Sequence, residues 1–300
     1  MRTQFCDAMV KRAGSADMVF LTGDLGFMAL EPLQAVLGER FINAGVSEQN
    51  MISVAAALAR QNFEAWAYSI APFCYARPFE QIRNDVTFHK LPVKLVGNGG
   101  GYGYGVMGPT HHAIEDYGVL LTLPEILVIV PAFDEDVAAA VERAGASSSP
   151  TYLRLGRGEK PEGYQPPAYA PWRWLTKGAG MSVIAVGPLA GTYLAAFEAL
   201  PEAERPNLWA VAELPLERNP LPPELVGQIK DGPGVCVVEE HVKQGGFASS
   251  LALHLSMRGV HPRAFRHLHA LDHQYDRYGA QPYMREKSGL DVRGMLAAIS

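Results

Sequence analysis

The sequence is poor in cysteine and has no long hydrophobic run. Its 300 residues include three cysteines, Cys6, Cys74 and Cys236, which lie far apart without the spacing of a metal site. This pattern argues against a disulfide framework and is typical of a reducing compartment. No apolar stretch approaches the roughly 20 residues that a membrane-spanning helix needs, and the amphipathic N-terminus has no signal-peptide core. We therefore expect a soluble, cytoplasmic protein.

An excess of charge of one sign is also absent. The net charge is −5 and no basic stripe follows the chain, so nucleic acid is not an expected partner. The sequence contains neither the phosphate-binding pattern G-x-x-x-x-G-K-[ST] nor the nucleophile pattern G-x-S-x-G. Since no obvious protein nucleophile is present, an enzymatic function would depend on a cofactor for its main chemistry.

Short β-branched runs alternate with helical patterns along the chain. In the first half they predict strands at 18–23, 64–69, 93–98, 126–131 and 151–156, and helices at about 4–13, 48–61, 77–88 and 133–146. After a segment rich in proline, glycine and charge, strands are predicted at 182–188, 208–214, 234–240 and 263–269, with helices near 190–200 and 246–257. Such alternation is typical of a mostly parallel sheet flanked by helices. We predict two α/β domains, 1–160 and 181–300, joined by a linker at 161–180.

A lone carboxylate, Glu48, stands where a loop turns into an apolar helix in FINAGVSEQNMISVAAALAR, residues 41–60. Ser47 is a suitable N-cap, and a glutamate in the first turn complements the helix dipole. The residues that follow are apolar on nearly every side, so the helix is expected to be buried. Glu48 is therefore either a helix-start residue or an acid carried into an interior, where a carboxylate needs a partner.

A glycine-rich loop, GNGGGYGYGVMGPTHHAIED at 97–116, follows a predicted strand. Three of its glycines formally match G-x-G-x-x-G, but a proline and two histidines intervene before any helix, so the context of a dinucleotide site is poor. We interpret the loop as the wall of a substrate or cofactor site. Its histidines, His111 and His112, are either ligand-binding residues or buried structural ones.

Two further polar clusters lie in the second half. Residues 266–277 bring together His267, His269, Asp272 and His273, but no second cluster completes a coordination sphere, so we predict no metal site in this chain. Residues 237–246 place two glutamates and a histidine before a pair of glycines, which is typical of a strand-to-helix turn.

Taken in order, these segments resemble the C-terminal half of the transketolase family, whose enzymes depend on thiamine diphosphate. The segments that carry the resemblance are RFINAGVSEQNMISVAAALA, RPFEQIRNDVTFHKLPV, GPTHHAIED, ILVIVPAFDEDV, PTYLRLGRG, VVEEHVKQGG and YGAQPYMREKSGL. They cover nearly the whole chain. The resemblance implies a pyrimidine-binding domain followed by the transketolase C-terminal domain, each with a mostly parallel sheet flanked by helices.

The resemblance also implies how the cofactor is bound. Glu48 corresponds to the glutamate that hydrogen-bonds N1′ of the aminopyrimidine and promotes the tautomer that removes a proton from the thiazolium ring. A carboxylate held in an apolar setting can share a proton in this way. Phe73 is the first choice for the aromatic residue that packs on the pyrimidine, and Tyr75 and Phe79 are the alternatives. Ordinary core packing also accounts for most aromatic residues.

Substrate contacts follow from the same comparison. His111, with His112 beside it, corresponds to the histidine that meets the substrate's oxygens, and Arg157 to an arginine that can bind a substrate phosphate. Two positions depart from the family, because Met107 stands where it has an aspartate and Gly99 where it has a second histidine. Both changes remove polar contacts, so an ordinary pentose phosphate is not the expected substrate.

The motif with which the family holds Mg²⁺ and the diphosphate, G-D-G with a later asparagine, has no match here. Neither TGDLG at 22–26 nor KDGPG at 230–234 fits it, and Mg²⁺ needs oxygen ligands from protein and diphosphate together. The resemblance therefore implies the C-terminal subunit of a split transketolase. A separate N-terminal subunit would hold most of the Mg²⁺ site, thiamine diphosphate would lie between the chains, and the assembly would be α2β2. The expected reaction is transfer of a two-carbon ketol unit between sugars or sugar phosphates.

Three other interpretations remain open. The chain could be the β subunit of a related thiamine diphosphate enzyme, of the 2-oxoacid dehydrogenase or deoxyxylulose-phosphate-synthase type. It could be a catalytically inert partner that stabilises another protein, which the departures at Gly99 and Met107 allow. A nucleotide-binding oxidoreductase would depend on the glycine loop alone.

Overall fold

The strands form two sheets, one in each half of the chain, in the computed structural model, which describes residues 1–14 and 17–300. The strands are β1 (Met18–Thr22), β2 (Phe41–Asn43), β3 (Glu64–Ile70), β4 (Lys94–Asn98), β5 (Leu127–Ile129), β6 (Thr151–Leu155), β7 (Trp172–Thr176), β8 (Ser182–Val186), β9 (Asn207–Val211), β10 (Glu213–Leu214), β11 (Val235–Glu239) and β12 (Phe265–His269). This arrangement confirms the predicted two-sheet α/β fold.

Helices cover both sheets. They are α1 (Arg2–Ala13), α2 (Glu31–Leu37), α3 (Glu48–Arg60), α4 (Ala71–Tyr75), α5 (Phe79–Gln81), α6 (Asp116–Leu120), α7 (Val137–Gly145), α8 (Leu189–Thr192), α9 (Leu194–Glu198), α10 (Pro223–Asp231), α11 (Phe247–Met257), α12 (Gln281–Lys287) and α13 (Val292–Ile299). A π-helical segment, Ile82–Thr87, continues α5. Among the described residues, no helix combines the length and apolar character needed to cross a membrane.

The larger sheet has seven strands in the order β10-β5-β6-β4-β3-β1-β2. All of its pairs are parallel except that between β10 and β5. Every residue of β1, β4 and β6 is buried, because helices cover both faces of a parallel sheet and leave no strand face in water. The short strand β2 was not predicted.

The smaller sheet has five strands in the order β12-β11-β8-β9-β7, and β7 alone runs antiparallel to its neighbour. Strand β7 lies inside the predicted linker, 161–180, which is therefore not irregular throughout. Trp174 of β7 stacks on Trp209 at 5.1 Å between ring centroids, and Arg173 pairs with Asp136 at 2.5 Å. These contacts order a segment whose flanking prolines suggested only a loop.

The two halves meet around a buried arginine. Arg154 of β6 donates from Nε to Asp116 at 2.7 Å and from Nη2 to the carbonyl oxygens of Ala113 and Glu240, at 2.9 and 3.0 Å. The Glu240 carboxylate in turn pairs with Arg285 of α12. Each of these charges has an oppositely charged partner, as a buried charge requires. The joint therefore fixes the C-terminal half against the loop that precedes α6.

Removing the Arg154 guanidinium is expected to destabilise the whole fold. The Arg154→Met variant leaves the Asp116 carboxylate buried without its partner, and breaking such a pair costs about 3–5 kcal/mol. The Arg293→Met variant is the matched control, because Arg293 pairs with Glu286 at 3.2 Å on a side chain that is 80% exposed. Thermal and urea unfolding monitored by circular dichroism would measure both. Equal stability of the two variants would contradict this account of the joint.

Candidate active site

Loops after neighbouring strands bring Phe73 and His111 together at the carboxyl end of the larger sheet. Phe73 lies in α4, which begins directly after β3 and has proline in its first turn, where the missing N–H of proline costs nothing. His111 ends a 3-10 turn, Pro109–His111, in the loop that follows β4. The two rings pack edge to face with centroids 5.1 Å apart. Ligands of open α/β sheets bind at this end of the strands.

Glu48 is the first residue of α3 and only 4% exposed. Ser47 occupies the N-cap position but makes no side-chain cap hydrogen bond. The Glu48 carboxylate instead accepts a hydrogen bond through Oε1 from Nη1 of Arg77, at 2.9 Å. Its second oxygen, Oε2, accepts no hydrogen bond from a described residue. Glu48 thus has the charged partner that burial demands, and one oxygen left for a ligand.

Arg77 joins Glu48 to the aromatic pair and was missed in the sequence analysis. Its guanidinium carbon lies 3.9 Å from the centroid of the Phe73 ring, in a cation–π contact. Its spacing of four residues from Phe73 was the available signal, because such residues are neighbours on a helical surface. Glu48, Arg77, Phe73 and His111 therefore form one continuous cluster.

The surroundings of His111 favour its neutral imidazole form. Partial burial, and then the nearby Arg77 charge, lower its pKa below the usual value of 6.5. Its Nδ1 lies 3.0 Å from Oγ1 of Thr110, which restrains the ring. A neutral imidazole has one donor and one acceptor nitrogen, and so can hydrogen-bond a hydroxyl or a carbonyl of a ligand.

The alternative aromatic residues lie elsewhere. Tyr75 is buried and its hydroxyl donates to Oε2 of Glu115 at 3.1 Å; burial raises the pKa of this hydroxyl, which keeps its proton. Phe79 is half-buried against the main hydrophobic core. Among the three aromatic residues, Phe73 alone makes a described ring contact with Arg77 or His111.

His112 points away from its neighbour into the interior, where it is 2% exposed. Its Nε2 lies 3.1 Å from the carbonyl oxygen of Gly105, and its ring is stacked 6.3 Å from that of His273. His273 pairs with Glu115 at 2.5 Å, and this hydrogen bond raises the pKa of His273. The His112 side chain therefore packs between the two halves of the chain and does not face the site in which the His111 ring lies.

The glycines of the 97–116 loop allow close packing. A Cβ at Gly101 would lie 2.1 Å from Oε2 of Glu240, and one at Gly105 would lie 2.3 Å from the carbonyl oxygen of Gly279. Only glycine lets the C-terminal half approach the loop this closely. Met107, at the tip of the loop, is 54% exposed.

Arg157 lies outside the cluster formed by Glu48, Arg77, Phe73 and His111. It lines a cavity of about 440 Å³ at the carboxyl ends of β4 and β6, together with Arg2, Asn98, Gly99 and Tyr104. No described contact joins it to the cluster around Glu48. Arg2 and Tyr104 were not singled out from the sequence, because they are distant from Arg157 along the chain.

Of the three histidines of 266–277, His267 and His269 pack together with ring centroids 4.8 Å apart, whereas no described ring contact joins either of them to His273. His267 pairs with Glu239 at 2.8 Å, whereas His273 pairs with Glu115. Within the described ranges, 1–14 and 17–300, no group of three or more histidine, cysteine, aspartate and glutamate side chains could hold a metal ion.

Fold and site together define a two-domain α/β protein with a buried carboxylate and an aromatic pair at the carboxyl end of its larger sheet. Residues 12–162 match the family model described as transketolase, pyrimidine binding domain. The chain belongs to the transketolase family, whose enzymes use thiamine diphosphate. The match confirms the resemblance to the transketolase family that the sequence motifs indicated.

Particular relatives match nearly the whole chain. It is 30% identical over 293 residues to a protein of Actinobacillus succinogenes named as a subunit of apulose-4-phosphate transketolase, covering 95% of this chain and 93% of that protein. It is 32% identical over 271 residues to 1-deoxy-D-xylulose-5-phosphate synthase of Oleidesulfovibrio alaskensis, but covers 40% of that protein. A solved split-gene transketolase, described as an inactive β4 tetramer, superposes with a TM-score of 0.82 at 29% identity, covering 99% of this chain and 96% of that one. The chain thus corresponds to the C-terminal half of a split transketolase.

The contribution of Arg77 to the His111 pKa can be measured directly. We expect Arg77→Gln to raise this pKa toward 6.5 without reaching it, because the charge is removed while partial burial remains. Arg83→Gln, which removes an exposed arginine from the π-helical segment, is the control and should leave the pKa unchanged. NMR titration of the imidazole C–H signals, assigned with His111→Gln, gives the values. If Arg77→Gln left the His111 pKa unchanged, the Arg77 charge would not influence the imidazole.

Proposed function

We propose that this chain is the C-terminal subunit of a two-component, thiamine diphosphate-dependent transketolase. It transfers a two-carbon ketol unit between sugars and is active only with a separate N-terminal subunit. The observation that carries the proposal is the buried Glu48 carboxylate, which has one oxygen engaged by Arg77 and one open to a ligand. The near-complete match to a protein that is itself named as one subunit of a transketolase supports the two-component organisation.

The residues present fit the pyrimidine end of the cofactor. Bound thiamine diphosphate supplies the nucleophilic carbon that takes up the ketol unit. Oε2 of Glu48 would share a proton with the ring nitrogen of the aminopyrimidine, Arg77 would hold the carboxyl group in place, and Phe73 would contribute aromatic surface. Because neither TGDLG at 22–26 nor KDGPG at 230–234 fits the family's Mg²⁺ motif, we assign most of the Mg²⁺ and diphosphate site to the partner subunit.

The chain's own residues would then handle the substrate. Glu48 holds or releases a proton at the ring nitrogen, a role that requires its shielded position. The neutral imidazole of His111 hydrogen-bonds a substrate hydroxyl or carbonyl, and Arg157 binds a phosphate. Met107 offers no polar contact at the loop tip, so the substrate there has fewer hydroxyl contacts than in relatives with an aspartate.

Assembly and location are part of the proposal. The split-gene relative described as an inactive β4 tetramer supports the expectation that this chain alone is inactive. We propose an α2β2 heterotetramer in the cytoplasm, with a role in carbohydrate metabolism. The contribution of the partner subunit would complete the site.

A second candidate is a decarboxylating activity of the deoxyxylulose-phosphate-synthase type. The 32% identity over 271 residues to such a synthase favours it as the alternative. The two reactions differ in their donor, because the synthase type consumes a 2-oxoacid and releases CO₂ whereas a transketolase releases none.

Co-expression with the polypeptide encoded beside this chain tests the proposal. The complex and each chain alone would be assayed for transfer of a glycolaldehyde unit from a panel of ketoses, with thiamine diphosphate and Mg²⁺. We expect activity in the complex only. Release of CO₂ from a 2-oxoacid instead would favour the second candidate, and a complex that binds no cofactor would favour an inert partner protein.

Replacing Glu48 is expected to abolish turnover without affecting assembly. Glu48→Gln keeps the shape of the side chain but cannot share a proton, and loss of such acid–base catalysis typically costs about 10²–10⁴-fold in rate. The exposed Glu80, altered to Gln, is the matched control. Size-exclusion chromatography with the partner subunit would verify assembly. A Glu48→Gln complex with a near-normal rate would show that the assigned role is wrong.

A further inference from the structure

The cavity beside Arg157 carries unpaired positive charge. It has a volume of about 440 Å³ and an open mouth formed by the start of α1 and the loops that follow β4 and β6. Neither Arg2 nor Arg157 forms an ion pair or a side-chain hydrogen bond with a described residue. The acid in the wall, Asp134, is already paired with the Met1 ammonium at 3.0 Å. The wall is therefore positive and suits an anionic ligand.

The Tyr104 side chain occupies the part of the cavity wall next to Gly99, which has no side chain of its own. Gly99 has a φ of +75°, and a Cβ there would lie 2.3 Å from Cδ2 of Tyr104. The Tyr104 ring therefore lies directly against the Gly99 backbone and fills the space of the missing side chain. Because φ and contact both exclude a larger residue, Gly99 and Tyr104 form a matched pair.

The Tyr104 phenol oxygen is held in place by a neighbouring side chain. Nδ2 of Asn98 donates to it at 2.7 Å, so one lone pair of the phenol oxygen is engaged. The phenolic hydrogen has no acceptor among the described residues. Since a phenol both accepts and donates, this O–H is available to donate to a ligand in the cavity that Arg2 and Arg157 also line, and holding the phenol oxygen in place beforehand reduces the entropic cost of binding.

We propose that Tyr104 determines which anion this cavity accepts. Its O–H donates to an uncharged oxygen, a hydroxyl or a carbonyl, of a ligand whose phosphate lies at Arg2 and Arg157. A phosphorylated aldose is the acceptor that the proposed function already implies, and the contact from Tyr104 is what the geometry adds to it. This inference rests on the proposed function, because the ligand would be the acceptor of the transferred unit.

Binding to the full chain tests the inference without cofactor or partner. Glyceraldehyde 3-phosphate, erythrose 4-phosphate, ribose 5-phosphate and inorganic phosphate would be titrated by calorimetry. We expect at least one sugar phosphate to bind more tightly than inorganic phosphate. Tyr104→Phe keeps the ring against Gly99. It should lower the affinity for that sugar phosphate about fivefold, as expected for one hydrogen bond, and leave the affinity for inorganic phosphate unchanged. Tyr283→Phe, outside the cavity, is the matched control, and Arg157→Gln should weaken both ligands.

Two results would overturn the inference. The first is that the chain binds none of the three sugar phosphates more tightly than inorganic phosphate. The second is that Tyr104→Phe leaves the affinities for the sugar phosphate and for inorganic phosphate unchanged, or lowers both by the same factor. In the assembled enzyme, Tyr104→Phe should raise the KM of the acceptor about fivefold and leave kcat nearly unchanged. Because calorimetry needs no turnover, a complex without transfer activity would refute the proposed function and leave the binding result to stand.

Discussion

The buried pairing of Arg154 with Asp116 is the constraint on which the candidate site depends. Arg154 belongs to a central strand of the larger sheet, and its guanidinium also binds the carbonyl oxygens of Ala113 and Glu240. Ala113 and Gly101 bond to each other across the base of the 97–116 loop. One charge therefore anchors the loop that carries His111, together with the C-terminal half packed against it. An imidazole on a loop acquires a defined position only through such support.

A second consequence of burying charge concerns Glu48. Removal of a carboxylate from water is unfavourable unless it is paired, and the only described partner is Arg77, whose side chain is 45% exposed. The pair thus spans the boundary between interior and surface. A partly exposed ion pair of this kind suits a site that a second subunit closes. In the proposed assembly, the second Glu48 oxygen would face the cofactor and Arg77 would leave bulk water. The ion pair that gives Glu48 a charged partner in the free chain would thus also hold it for chemistry in the proposed assembly.

Elements with strong local signals could be predicted from the sequence. Short β-branched and apolar runs, such as MVFLT of β1, alternate with helical patterns, so the fold class followed from pattern alone. Strand β7 did not, because tryptophan stacking and the buried Arg173–Asp136 pair are long-range contacts that outweigh the flanking prolines. For the site, the resemblance singled out Glu48, Phe73 and His111, which the fold brings close together.

The remaining differences have a physical cause as well. Adjacent residues point in different directions, so only one of His111 and His112 could lie beside Phe73, and the choice of His111 came from the resemblance to the family and not from the residue pattern. The glycines of the loop were open to several interpretations, since the sequence does not reveal what approaches their backbone. The structure shows Glu240 at Gly101 and the Tyr104 ring at Gly99. A glycine that looks like the loss of a functional side chain is thus the condition for another residue, five positions later, to occupy the same space.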